Sequence, residues 1–142
     1  MHITEISFGT PEYQQMLKLR DEVLRRPLGL ELDLSKLGHD ESDFLIGCFE
    51  EEIIIGCVIL SPISTADLKL RQMAVHEDYQ GFGIGREIAT WAEDFAVFKG
   101  YKSIEMHARK YAIPFYEKLG YQVLGEEFME VTIPHFLMRK LL

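Results

Sequence analysis

Residues 80–86 read QGFGIGR, three glycines at alternate positions between a strand-like run and a helically periodic one. A plain turn from strand to helix would be served by one glycine, so three ask what lies against this backbone. A Walker A loop requires Lys-Ser or Lys-Thr after its last glycine, and neither follows. A dinucleotide fingerprint counted from Gly81 and Gly83 puts Arg86 where its third glycine belongs, which breaks that pattern too. What remains is a run of backbone N–H groups free to face an anion at a helix start, where first-turn amides and a partial positive charge point the same way. With Arg86 in the first turn, the combination suits a pyrophosphate.

Outward from the loop, the chain reads as regular elements. HITEISF (2–8) alternates as a strand, and TPEYQQMLKLRDEVLRR (10–26) predicts a helix capped by Thr10 with Pro11 at its first position. Residues 27–41 carry Pro27, Gly29 and Gly38 as breakers and read as a long loop or short-helix region. Residues 43–60 predict a hairpin, and DLKLRQMAV (67–75) a strand ending near Val75. After the glycines, Ile84, Ile88, Trp91, Ala92, Phe95 and Phe98 recur at helical spacing up to Gly100. YKSIEMHA (101–108) reads as a strand, YAIPFYEKLG (111–120) as a short helix with Pro114 in its first turn, and two strands close the chain. A helix between the strand ending at Val75 and the one starting near Lys102 makes those two parallel neighbours through a right-handed crossover. The expected fold is one α/β (α+β) domain over residues 1–142, a mixed sheet with helices on both faces.

Composition narrows the function. With 142 residues, 47% of them hydrophobic, the chain fits one core and is short for two domains. The start MHITEISF shows no basic segment before an apolar one, and the run IIIGCVIL (53–60) is under half a membrane span, so neither export nor a membrane partner is expected. A net charge of -8 argues against nucleic acid and favours a cationic partner. A hairpin turning at Glu50 to Glu52 places Cys48 opposite residue 53 or 54, leaving Cys57 about 10 Å or more away, beyond disulfide reach. Two reduced, buried thiols in the cytoplasm are the expectation. The five histidines show no metal-ligand spacing, so no metal is expected.

Two segments carry a family resemblance. Gln80, Gly83 and Gly85 match the Q/R-x-x-G-x-G/A signature of the GNAT superfamily of N-acetyltransferases, preceded by LRQMAV (70–75). AIPFYEKLGY (112–121) resembles that family's A-x-x-F-Y-x-K-x-G-F/Y segment, one helix and one strand later, in the family's order. The ending IPHFLMRK and the early RRPLGL are similar to small stand-alone bacterial members of ElaA-like type. The resemblance implies a mostly antiparallel central sheet with one splayed parallel pair, and acetyl-CoA as co-substrate. The pyrophosphate would rest on Gln80, Gly81, Phe82, Gly83, Ile84, Gly85 and Arg86, and the pantetheine arm beside Met73, Ala74 and Val75, with Ala112, Phe115 and Tyr116 completing the site. A homodimer is left open.

Acetyl transfer to an amine needs a neutral nitrogen, oxyanion stabilisation and a proton for the departing thiolate. Tyr116 matches the family's tyrosine general acid, although Ala112, Phe115, Tyr116 and Leu119 also have the spacing of a core stripe. For the base, His107 on the strand SIEMHA and His135 in IPHF are the candidates, with Glu105 and Glu126 behind them and a water chain as the alternative. The resemblance implies an N-acetyltransferase acting in a ternary complex on a primary amine of a small molecule, polyamine or peptide, and the acidic balance of the chain favours a cationic one. The alternative is a non-catalytic acyl-CoA-binding module used for sensing or assembly.

Overall fold

Seven strands form one sheet in the order β1-β2-β3-β4-β5-β7-β6. The computed structural model describes residues 1–32 and 34–142. The strands are β1 (His2–Ile6), β2 (Phe44–Glu50), β3 (Ile53–Pro62), β4 (Asp67–Val75), β5 (Ser103–Arg109), β6 (Gln122–Glu130) and β7 (Ile133–Leu141). Every adjacent pair is antiparallel except β4 and β5. Helix α1 (Pro11–Arg20) covers one face, while α2 (Ile84–Phe98) and α3 (Ile113–Lys118) cover the other.

The predicted punctuation is visible in the elements. Thr10 accepts a hydrogen bond from the Tyr13 N–H at 3.3 Å, and Pro11 opens α1. The helix predicted to Arg26 keeps α geometry only to Arg20, then widens into a π-helical turn (Asp21–Arg25) and a 3-10 turn (Arg26–Leu28). Asp21 holds this turn, accepting from Arg26 Nε at 2.8 Å and from the Leu32 N–H at 3.0 Å. Within the irregular 27–41 stretch, Leu34–Ser42 forms a 3-10 helix, and position 33 lies outside the described residues. Gly100 and Gly120 end α2 and α3 with φ of 91° and 96°.

The cysteine geometry differs from the expected one. The β2–β3 turn is only two residues long and a bulge follows Cys48, so Cys48 pairs with Gly56 and Cys57 with Gly47. The two cysteines are therefore near neighbours along the ladder. Their side chains are kept apart by the pleat: Cys48 packs beneath α2 and Cys57 beneath α1. Both are free and buried, and burial pushes the thiols up to about 11 and about 12 respectively. Among the described residues, no helix is long and apolar enough to cross a membrane.

One irregularity positions the site. The β4–β5 ladder pairs residues 67–70 with 103–106, yet both strands run on beyond it. Opposite Val58, β4 carries an extra residue, and Gln72 adopts a φ of 58°. A bulge with one residue in the left-handed region bends its strand. Cys57 Sγ donates to the Gln72 carbonyl at 3.4 Å and pins the bend. The two strands part beyond it.

Candidate active site

The gap between β4 and β5 opens into a cleft of about 900 Å³, reached by the π-helical turn after α1, the glycine loop, α3 and the β6–β7 turn. Of the residues that the resemblance assigns to acetyl-CoA, positions 73–75, 80, 81, 83–86, 112, 115 and 116 line it. Phe82 does not, and the residue is 77% exposed. His107 and His135 line the cleft as well, whereas Glu105 and Glu126 stand outside it.

The glycines prove to have separate reasons. Gly81 and Gly83 adopt φ of 84° and 82°, a region costly for side-chain-bearing residues, and a Cβ built on either would meet only open space. Gly85 has ordinary φ, but a Cβ there would lie 3.3 Å from the Phe115 ring. Gly83 caps α2, its carbonyl accepting from the Glu87 N–H at 3.1 Å, and no side chain caps the helix. The first-turn N–H groups of α2 thus have neither an intrahelical acceptor nor a capping oxygen. They can hold an anion. Gln80 holds the loop in place, its Nε2 donating to the Val75 carbonyl at 2.8 Å.

Two titratable side chains meet on the other side of the cleft. His107 Nδ1 lies 3.0 Å from Glu130 Oε1, and His135 Nε2 lies 3.7 Å from Glu130 Oε2. A carboxylate can only accept, so Nδ1 of His107 is the donor, and in the neutral imidazole this leaves Nε2 as a free lone pair. His135 donates from Nδ1 to the Ile133 carbonyl at 2.9 Å and is only 3% exposed. Phe128 lies against both rings. Sequence reading missed Glu130: it ends β6, just before a turn in which Val131 and Thr132 both take positive φ, and nothing in FMEVTI marks that register.

On α3, Tyr116 is 6% exposed and packs edge-on to Phe115 and Tyr121. Burial, and secondarily Tyr111, hold its hydroxyl well above the usual phenol range. It stays protonated. Among the described residues no hydrogen-bond partner reaches that hydroxyl, although the residue lines the cleft.

The charge of the cleft opposes that of the chain. Among the described residues, Arg25, Lys69, Arg71, Arg86 and Arg109 line it against the single carboxylate of Glu130. The expectation of a cationic acceptor came from the net charge of the whole surface, whereas the described lining residues include more cations than carboxylates. Among the described residues no group of three or more His, Cys, Asp or Glu side chains is arranged to hold a metal.

Residues 31–142 match the acetyltransferase (GNAT) domain family model. The chain belongs to the GNAT acetyltransferase family. YyaT of Bacillus subtilis is 40% identical over 72 residues, which cover 51% of this chain and 49% of that protein. The chain thus spans about half the length of the first curated relatives it matches. Escherichia coli ElaA superposes with a TM-score of 0.88 at 16% identity over 99% of both chains. A GNAT family acetyltransferase from Elizabethkingia anophelis with acetyl-CoA bound superposes with a TM-score of 0.77 at 21% identity, over 99% of this chain and 97% of that one. At such identities the two structures establish a shared GNAT fold.

Proposed function

We propose that the protein is an acetyl-CoA-dependent N-acetyltransferase that acetylates a primary amine in a ternary complex. The observation that carries this reading is one continuous cleft, running from the uncapped first turn of α2 to the gap between two parting parallel strands. An extended arm with a diphosphate at one end fits such a shape. It can present unpaired strand-edge groups to its middle and the anion-binding amides to its end. The two free thiols agree with a cytoplasmic setting.

The residues divide the proton work between the faces of the sheet. The amine nitrogen attacks the thioester carbonyl carbon, so a C–N bond forms and the C–S bond breaks. The nitrogen's surplus proton passes to His107 Nε2, held in position by Glu130, and Tyr116 gives its hydroxyl proton to the departing thiolate. Solvent then returns the proton from His107 to the tyrosinate. Backbone N–H groups near Met73 and Ala74, beside the bulge, are the candidates for the oxyanion. Release of free thiol from acetyl-CoA in the presence of a panel of amines tests the reading. Binding of acetyl-CoA without turnover on any amine would leave only a binding module.

The loop assignment has its own test in Gly83→Asp. Asp tolerates left-handed φ, and a negative charge at a helix N-terminus favours folding, so the melting temperature should hold. The same charge repels phosphates. Acetyl-CoA affinity should fall at least tenfold, about 1.4 kcal/mol, by calorimetric titration. Unchanged affinity would remove the anion from this loop.

A further inference from the structure

Two guanidinium groups converge in the cleft, and among the described residues neither is paired with a carboxylate. Arg109 Nη2 donates to the Leu24 carbonyl at 2.9 Å, and Arg25 Nη1 reaches the same oxygen at 3.5 Å. Both side chains are partly buried and line the cleft. Arg71, a third cation there, is already paired with Asp40 and Asp43 at 2.7 Å each. Among the described residues Arg25 and Arg109 have no such partner, and Glu130, the one carboxylate lining the cleft, bonds to His107. Desolvation, then repulsion from Arg109 and Arg20, lowers the Arg25 pKa, while Glu130 acts against this. Two half-buried like charges on one carbonyl form a costly arrangement that an anion would relieve.

The face they occupy says whose anion this is. Met106 and Ala108 belong to the core beneath α2, so the alternating His107 and Arg109 point to the α1 side. The bond from Arg109 to Leu24, in the turn that ends α1, agrees. The glycine loop caps α2 on the opposite face. The arginines therefore stand beside the candidate base His107, on the acceptor's side of the sheet.

Resting on the acetyl-transfer reading, we infer that the acceptor carries an oxyanion, carboxylate or phosphate, on the same molecule as its amine, and that Arg25 and Arg109 hold it. Arg presents a planar fork of donors matched to both groups, and each guanidinium here spends one N–H on Leu24 and keeps the rest. The class of acceptor is an amino acid or an aminoalkyl phosphate rather than a polyamine.

The first measurement uses inorganic phosphate on protein saturated with CoA, so that the phosphate sites of the nucleotide are filled. Phosphate should bind, and at least tenfold more weakly in Arg25→Gln and Arg109→Gln. Arg25→Lys and Arg109→Lys, which keep charge but lose the fork, should fall between. The second compares matched amines in thiol release, alanine with ethylamine and phosphoethanolamine with ethanolamine. The oxyanion-bearing member should lead at least tenfold in kcat/KM, with the better pair naming the anion, and the arginine variants should lose that lead through KM. Phosphate binding that ignores the arginines, a preference for the bare amines, or weakened CoA binding in Arg25→Gln each overturns the inference. Phosphate held by the arginines with no turnover on any amine would keep the anion site and refute acetyl transfer instead.

Discussion

Asp40→Ala should lower the unfolding free energy by about 3–5 kcal/mol, the usual result of stripping one partner from a buried ion pair. Asp40 is 1% exposed and accepts from Tyr13 at 2.6 Å, from Arg20 at 2.8 Å and from Arg71 at 2.7 Å. Removing the carboxylate leaves the buried Arg20 charge without a partner, which costs more than the pair itself contributes. Burial acts to raise the Asp40 pKa, but the hydrogen bonds from Tyr13, Arg20 and Arg71 and the charge of Arg20 outweigh it, and the net direction is down. A folded pKa below the unfolded value of about 3.9 gives stability that is present above that value and lost as pH falls through the folded one. Denaturant titrations between neutral and acid pH should therefore show a steeper loss in the wild type than in Asp40→Asn. Equal stability of Asp40→Ala and wild type at neutral pH would refute the assignment. The network also matters for the cleft, because Arg71 precedes the Gln72 bulge and bonds to Asp40 of the 34–42 helix, which in turn accepts from Tyr13 and Arg20 of α1.

What sequence reading could reach depended on whether a feature has a local chemical signature. Thr10-Pro11 and the positive-φ glycines at 100 and 120 announce helix ends by conformational rules that act within a few residues, and those helix ends fall where they were expected. The parallel pair followed from one crossover helix between two strands. The bulge at Gln72 had no such signature, since a glutamine at positive φ looks in sequence like any strand glutamine. Its cause is partly tertiary, in the bond from Cys57. The β2–β3 register failed for a similar reason: a one-residue bulge after Cys48 shifts every later pairing, and only the pleat keeps the cysteines apart. Glu130, Arg25 and Arg109 come from three distant segments, and their meeting is a product of strand order. Net charge sums the whole surface and does not say which charges face the cleft.

Tyr116→Phe should slow acetyl transfer by about 10² to 10⁴, the common worth of a positioned general acid. A thiol with a pKa near 8.5 can leave unprotonated at a cost, so activity is reduced rather than abolished. The substitution keeps the ring and its edge contacts with Phe115 and Tyr121 while removing only the hydroxyl. Because that hydroxyl has no hydrogen-bond partner among the described residues, its loss breaks no bond between them, and the melting temperature should stay close to wild type. Acetyl-CoA affinity should change little as well, since the role assigned to the hydroxyl begins only when the C–S bond breaks. Burial keeps the phenol protonated well above the ordinary range. The acid is thus available across the working pH range, and any rise of rate with pH must come from the base or the amine. The decisive comparison measures transfer rate, acetyl-CoA affinity and melting temperature on one preparation. A rate equal to wild type would make Tyr116 a packing residue of α3 and leave thiolate protonation to solvent.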